Sequence, residues 1–196
     1  MTSAAWQPIL LDLDPARDGG RRELGAGAWV DLEPGWCPDP GSLFTRLLAD
    51  TPWDPPRRVR MYDRDVVEPR LTHRWTLGDA PPDLAAMARA LSARYDVAFS
   101  QVGANLYRDG NDAVAWHGDR VARELPSAVV ALISLGAVRP LRLRPRGGGA
   151  SVTFRPGPGD LLVMGGTCQR TWQHAVPRAP AVGPRISVQF RHAYPR

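Results

Sequence analysis

Residues 99–117 read FSQVGANLYRDGNDAVAWH, and this stretch decides the fold class. It holds two short apolar runs separated by RDGND, a turn sequence rich in Gly, Asn and Asp. Short strands joined by such turns are typical of antiparallel sheets. The pattern continues toward the end of the chain, with turns about every eight to twelve residues. The predicted strands are 99–107, 113–117, 127–136, 140–146, 150–156, 159–166 and 184–192.

Two helices are predicted upstream of these strands. The first covers 39–53, where Asp39 or Ser42 can cap the helix and Pro52 ends it. The second covers 81–95, which begins with prolines, is filled with alanines and carries an apolar stripe. Because the helices precede the strands, we expect an α+β fold, mainly β: a sandwich or barrel with helices packed on one face.

Length and composition indicate one domain. The chain has 196 residues and no long apolar run, which predicts no membrane span, and the N-terminus has no signal-peptide pattern. Residues 1–40 are expected to form an N-terminal extension with one or two short strands, and 41–196 the main domain. The two cysteines, Cys37 and Cys168, lie far apart, which favours a reduced, cytoplasmic protein. We expect a monomer.

The charge balance favours an anionic partner only weakly. The net charge is +5, and all 25 basic residues are arginines. Arginine forks match phosphate oxygens. However, Ala, Gly and Pro are also abundant, so compositional bias explains the absence of lysine.

One constellation in the strand region is suited to a metal. His117 and Asp119 are two positions apart, and on a strand both would project from one face. His174 follows 55 residues after Asp119. Two imidazoles and one carboxylate form the facial triad of non-haem Fe(II) enzymes, which leaves positions open for a cosubstrate and dioxygen. Four histidines also allow accidental combinations, so the spacing alone leaves an ordinary turn as an alternative.

The run 184–192 alternates polar and apolar residues. If it is a strand, Arg185, Ser187 and Arg191 lie on one face, and two arginines beside a metal would require an anion there. A dicarboxylate supplies two such groups. Asn105 and Tyr107, also two apart, can donate to the same anion. The alternative is a half-exposed strand whose arginines point into solvent.

In order and spacing, three segments together resemble the AlkB family of Fe(II)- and 2-oxoglutarate-dependent dioxygenases. They are NLYRDGNDAVAWHGD, GDLLVMGGTCQRTWQHAV and PRISVQFR, and the likeness covers roughly residues 60–192. The resemblance implies a double-stranded β-helix, or jelly roll. It also implies that His117, Asp119 and His174 bind iron, and that the cosubstrates are 2-oxoglutarate and O2. The residues implied to hold 2-oxoglutarate are Asn105, Tyr107, Arg185, Ser187 and Arg191, the last also fixing the loop around Asp119.

The resemblance further implies oxidative demethylation of alkylated nucleic-acid bases, of the 1-methyladenine and 3-methylcytosine type, with release of formaldehyde. A stacked base cannot reach a buried metal, so the substrate must be single-stranded or the base flipped. Tyr62 and Trp75 are candidates to sandwich that base, and Arg70 to contact the substrate. A further set of arginines can track phosphates: Arg57, Arg58, Arg60, Arg64, Arg142, Arg144 and Arg146.

One departure leaves the substrate open. Many family members that act on nucleic acids carry an acidic residue two positions after the metal aspartate, whereas this chain has Val121. The same chemistry on RNA, protein or a small molecule is therefore an alternative. A second alternative is a non-catalytic nucleic-acid-binding module on a jelly-roll scaffold, which the positive net charge would support.

Overall fold

The computed structural model describes residues 19–56, 58–61, 64–67, 69–121 and 124–192. The helices are α1 (Pro40–Asp50), α2 (Pro82–Tyr95) and α3 (Cys168–Thr171). The first seven strands are β1 (Gly20–Gly25), β2 (Ala28–Glu33), β3 (Arg58–Met61), β4 (Arg64–Val67), β5 (Leu71–Thr76), β6 (Phe99–Tyr107) and β7 (Val114–His117). The remaining strands are β8 (Val130–Gly136), β9 (Leu141–Pro145), β10 (Val152–Phe154), β11 (Leu161–Gly166), β12 (Trp172–Val176) and β13 (Arg185–His192).

Two antiparallel sheets face each other. The large sheet has the strand order β1-β2-β11-β8-β13-β6-β5, and the small sheet has the order β10-β9-β12-β7. Strands β3 and β4 pair only with each other, as a separate two-stranded sheet. The mainly β class predicted from the strand pattern is confirmed, and so is the jelly roll that the resemblance implies.

The large sheet separates two apolar clusters, and alternation along β13 shows why. Ile186, Val188 and Phe190 point to the face that packs against α1 and α2. The intervening polar residues point to the other face, toward the small sheet. A second apolar cluster fills the space between the sheets and includes Leu132, Leu143 and Met164. The central strands of the large sheet are covered by helices on one face and by the small sheet on the other. Because they must bury both faces, β8 and β11 are apolar almost throughout.

Both long helices form where the sequence predicts them. The Asp39 side chain accepts a hydrogen bond from the Ser42 backbone N–H at 3.1 Å and caps α1. In α2, Leu84, Ala88 and Leu91 are fully buried against the large sheet. The helices therefore cover one face of this sheet, as expected. No helix among the described residues is long and apolar enough to cross a membrane.

The expected boundary at residue 40 needs correction. Strand β2 pairs with β11 over its full length, and Ala28, Val30 and Leu32 are buried between the sheets. Strand β1 then pairs with β2 at the edge of the large sheet. Residues 20–33 are thus part of the main fold and not an extension to it.

Candidate iron and cosubstrate site

The structure brings His117, Asp119 and His174 together. His117 ends β7 and lies opposite His174 of β12 in the strand register, with the ring centroids 4.2 Å apart. Asp119 lies in the turn just beyond β7, so the turn, not strand geometry, brings it to His117. The His117 Nε2 and Asp119 Oδ1 atoms are 3.8 Å apart, and the three candidate ligand atoms lie within 4.8 Å of one another.

The protonation states of these groups suit a cation. The Nδ1 of His117 lies 2.8 Å from the Ala115 carbonyl, to which its N–H donates, so Nε2 is the ring nitrogen that faces the other candidate ligands. Burial lowers the pKa of His174 to about 3, which keeps that ring neutral at neutral pH. Burial raises the pKa of Asp119, but Arg191 and the two imidazoles outweigh it and hold the pKa well below its usual range. Two imidazoles and an ionised carboxylate are the donor set that suits Fe(II) with positions left open.

Arg191 orients the carboxylate from the large sheet. Its Nε donates to Asp119 Oδ2 at 2.9 Å. This bond leaves Oδ1 of Asp119 turned toward His117. The contact between Arg191 and the loop around Asp119, expected from the resemblance, is present.

Arg185 is a buried cation whose hydrogen-bonding capacity is incompletely used. Its side chain is 1% exposed, and Nε and Nη2 donate to Ser134 Oγ at 3.0 and 2.7 Å. Its Nη1 has no hydrogen-bond partner among the described residues. Burial lowers the pKa of Arg185, so the folded protein carries a cost at this position that a bound carboxylate would offset. This orphaned nitrogen fits a dicarboxylate cosubstrate.

The register between β6 and β13 assembles the remaining cosubstrate candidates. Arg185 lies opposite Tyr107, and Ser187 lies opposite Asn105. All four residues share the face of the large sheet that looks toward the small sheet. The guanidinium of Arg185 stands 5.3 Å from the Tyr107 ring centroid. Alternation in the two strands, read from sequence, therefore predicted a grouping that the fold produces.

These side chains line one cavity of about 580 Å³ between the sheets. It holds the metal candidates at one wall and Arg185 at another. Five of its lining residues are arginines and one is a carboxylate, Asp119. The arginines are Arg70, Arg74, Arg120, Arg185 and Arg191.

The predicted substrate-binding residues are less consistently placed at the cavity than the metal and cosubstrate residues. Trp75 lies opposite Val102 in the β5–β6 register and packs with the apolar cluster under the helices, so the structure does not bring it to the cavity. Tyr62 lies outside the described residues. Arg70 does line the cavity. Val121 is only 5% exposed and packs into the apolar cluster between the sheets, and it is not among the residues that line the cavity.

Sequence reasoning missed several buried polar residues near the site. Gln189 is buried and donates to Ser187 Oγ at 2.9 Å, and its place in the β13 alternation could have identified it. Arg139 is fully buried beside the Tyr107 ring and donates to three backbone carbonyls. Gln169 is buried beneath Asp119. Arg139 and Gln169 lie in no repeating pattern, so only the folded structure reveals them.

Comparison with known proteins agrees with this geometry. The profile of the 2OG-Fe(II) oxygenase superfamily matches residues 43–191, which is well over half of the chain. The chain belongs to this superfamily. It is therefore a dioxygenase that uses Fe(II), 2-oxoglutarate and O2, and the donor set described above fits that ion. The alternative of a non-catalytic binding module is set aside.

Relatives of the oxygenase agree with the resemblance to AlkB proteins. The chain is 30% identical to the alpha-ketoglutarate-dependent dioxygenase alkB homolog 3 of Bos taurus over 190 residues, covering 85% of this chain and 64% of the relative. It is 30% identical to the same-named protein of Mus musculus over 217 positions, covering 98% and 75%. It is 29% identical to the DNA oxidative demethylase ALKBH2 of Arabidopsis thaliana over 192 residues, covering 76% and 61%. The AlkB-like assignment is confirmed.

Proposed function

We propose that this dioxygenase demethylates alkylated bases in nucleic acid, of the 1-methyladenine and 3-methylcytosine type, and so acts in alkylation repair. The observation that carries the proposal is the charge of the cavity, in which five arginines and one carboxylate surround the candidate metal ligands. Such an excess of arginine suits phosphates as well as the cosubstrate. The relatives, which include a DNA oxidative demethylase, support the same substrate class.

Within this proposal, His117, Asp119 and His174 bind iron. Arg185 receives one carboxylate of 2-oxoglutarate, because its buried Nη1 is otherwise without a partner among the described residues. Asn105, Tyr107 and Ser187 line the same wall and complete the cosubstrate site. Arg191 has a double role, since it is bonded to Asp119 and also lines the cavity.

When bound, iron, 2-oxoglutarate and dioxygen supply the oxidation of an N-methyl group to a hydroxymethyl group, which leaves as formaldehyde while 2-oxoglutarate becomes succinate and carbon dioxide. The chain supplies placement and charge. The apolar wall of the cavity, which includes Val130, Leu132 and Met164, keeps water away from the reacting groups.

Access to the metal requires an unstacked base, so we propose single-stranded nucleic acid or a flipped base as substrate. Arg70, Arg74 and Arg120 line the cavity and are suited to the phosphates on either side of the target nucleotide. Tyr62 remains the prediction for the stacking residue. One chain contains the full candidate set of metal and cosubstrate residues, which suits a monomer.

A second basic surface supports a nucleic-acid partner. Leu143 and His174 face the interior, so Arg142 and Arg144 point away from it, on the outer face of the small sheet. The guanidinium of Arg144 stacks on the Trp116 ring, 4.3 Å from its centroid. The four strands of this sheet, all of them described, contain neither Asp nor Glu. An aromatic among arginines is the combination that single-stranded nucleic acids bind.

The buried Val121 leaves the identity of the substrate open. Because this position offers no carboxylate to the cavity, the amino group of the base must be recognised by another residue. RNA, protein or a small molecule is thus the alternative substrate. The expected cytoplasmic location stays a prediction.

A substrate panel tests the proposal. Succinate formation is measured with Fe(II), ascorbate and 2-oxoglutarate, adding methylated or unmethylated single-stranded DNA or RNA of one sequence. We expect methylated DNA to stimulate succinate formation above its unmethylated control. Stimulation by methylated RNA alone would transfer the proposal to RNA. No stimulation by either nucleic acid, with 2-oxoglutarate still bound, would overturn it.

A further inference from the structure

The single-turn helix α3 joins the two segments that carry the candidate metal ligands. It follows β11 directly and leads into β12, so His174 lies three residues beyond its end. Its side chains and backbone also contact the turn after β7, which contains Asp119. The contacts reach described residues on both sides of positions 122–123, and they come from consecutive residues of α3.

Gln169 makes the contact nearest to the metal candidates. Its side chain is buried, and its Oε1 accepts a hydrogen bond from the backbone N–H of Asp119 at 2.9 Å. Its Nε2 lies 3.7 Å from Met164 Sδ, which fixes the amide orientation because a thioether sulfur can only accept. The amide therefore presents its oxygen, and not its nitrogen, to Asp119.

Arg170, the next residue of α3, holds the following part of the turn. Its Nη2 donates to the Val121 carbonyl at 2.8 Å, and its Nε donates to the Leu125 carbonyl at 3.2 Å. Arg146 braces α3 from the small sheet by donating from Nε to the Arg170 carbonyl at 2.9 Å.

The approach of α3 to the turn leaves little room for a side chain at Gly118. A Cβ on Gly118, which separates His117 from Asp119, would lie 3.0 Å from the Gln169 carbonyl oxygen and 3.4 Å from that of Trp172. Such distances are tighter than most real Cβ contacts, so a side chain at this position would have to displace its neighbours by a few tenths of an ångström. The glycine thus allows the turn to rest directly on α3.

We propose that α3 is a clamp that holds the iron-ligand turn, with Gln169 as a positioning residue for Asp119. Asp119 follows the end of β7, so no strand ladder restrains it. Two bonds restrain it instead: Gln169 holds its backbone N–H, and Arg191 holds Oδ2 of its carboxylate. Together they leave Oδ1 directed at the imidazoles. The inference rests on the proposed assignment of Asp119 as an iron ligand.

Metal binding to the full-length, metal-free protein tests the clamp without needing turnover. The dissociation constant for Mn²⁺, used in place of Fe(II), is measured by calorimetry without 2-oxoglutarate for wild type and Gln169→Met. Methionine has nearly the shape of glutamine but offers no oxygen acceptor. We expect Mn²⁺ to bind about 10- to 100-fold more weakly, which is the usual effect of removing a partner that orients a ligand.

Gln173→Met is the matched control. Gln173 lies four residues further on and directly precedes His174, but its Oε1 accepts from Arg144 Nη2 at 3.4 Å on the opposite, outer face of the small sheet. Its Mn²⁺ affinity should equal that of wild type. The melting temperature of each metal-free variant separates positioning from folding. A melting temperature lowered by Gln169→Met with Mn²⁺ affinity equal to that of Gln173→Met would overturn the clamp.

Two further variants keep the result decisive. If Gln169→Met does not fold, Arg170→Met decides the question, and unchanged Mn²⁺ affinity in it would count against the clamp. Asp119→Ala tests the underlying assignment separately. Wild-type Mn²⁺ affinity in that variant would remove Asp119 from the ligand set. Loss of affinity in Asp119→Ala with none in the α3 variants would refute the clamp alone.

Discussion

Replacing Arg185 with methionine should separate cosubstrate binding from folding. Arg185 is 1% exposed, burial lowers its pKa, and its Nη1 has no partner among the described residues. In the free protein, this buried charge is a cost, which methionine removes while keeping most of the side-chain volume. The hydrogen bonds to Ser134 are lost at the same time. We therefore expect the melting temperature of the free protein to stay level or rise, as when buried ionic groups are replaced by apolar ones.

The effect on 2-oxoglutarate should be the opposite. Removing one partner of a buried ion pair costs about 3–5 kcal/mol, which corresponds to about 10²- to 10⁴-fold weaker binding. A ligand at about 1,000 times its Kd stabilises the fold by about 4.1 kcal/mol, and a 1,000-fold loss of affinity reduces this to about 0.4 kcal/mol. At about 2–4 °C per kcal/mol for a chain of this size, the ligand-induced rise falls from about 8–16 °C to about 1–2 °C.

The assay is thermal unfolding with Mn²⁺ at a fixed concentration, with and without 2-oxoglutarate. Arg142→Met, which alters an exposed arginine on the outer face of the small sheet, is the matched control and should keep the full rise. An Arg185→Met protein that keeps the wild-type rise would refute the placement of the cosubstrate carboxylate at Arg185. A large drop in the melting temperature of the free variant would refute the argument that the buried, incompletely bonded guanidinium lowers the stability of the free protein.

Three further changes test other parts of the structure. Asp112 is 1% exposed; burial raises the pKa of its carboxyl group, but hydrogen bonds from Arg108 outweigh burial, so the net pKa is lowered. The ionised carboxylate therefore stabilises the fold above about pH 4, and this stabilisation is lost as the pH falls through the folded pKa. Asp112→Asn should lower the free energy of unfolding at neutral pH by about 1–3 kcal/mol in urea titrations, and the difference should shrink below about pH 4; a difference independent of pH would contradict this. Arg144→Ala should weaken binding of single-stranded oligonucleotide uniformly and reduce the slope of log K against log salt by about 1, measured by fluorescence anisotropy, whereas an unchanged slope would remove Arg144 from the interface. Gly165→Ala would place a Cβ 2.0 Å from the ring of Trp29, its cross-strand neighbour, so the free energy of unfolding should fall by about 1–3 kcal/mol, and wild-type stability in urea would refute the contact.

The sequence predicts those parts of the fold whose side chains alternate. Strands β6 and β13 have one apolar face and one polar face, so both their existence and the face that carries Asn105 and Arg185 follow from the pattern. Strand β12 was not predicted. Its inward positions include His174, and a polar residue that points inward for function breaks the alternation on which such predictions depend.

The placement of Trp75 could not be predicted, because sequence spacing contains no information about the register between strands. Trp75 and Thr72 are close in sequence, but pairing with β6 puts Trp75 under the helices and Thr72 on the face of the cavity. Gln169 could not be identified either, since a one-turn helix is too short to show a period. Its importance depends on a turn that lies 50 residues away in the chain.

Formaldehyde release from a methylated single-stranded oligonucleotide tests the central claim most directly. The reaction contains Fe(II) and ascorbate, with or without 2-oxoglutarate, and compares wild type with Asp119→Ala. The account predicts release by wild type only when 2-oxoglutarate is present, and none by the variant. Release that does not need 2-oxoglutarate, or that persists in Asp119→Ala, would contradict it.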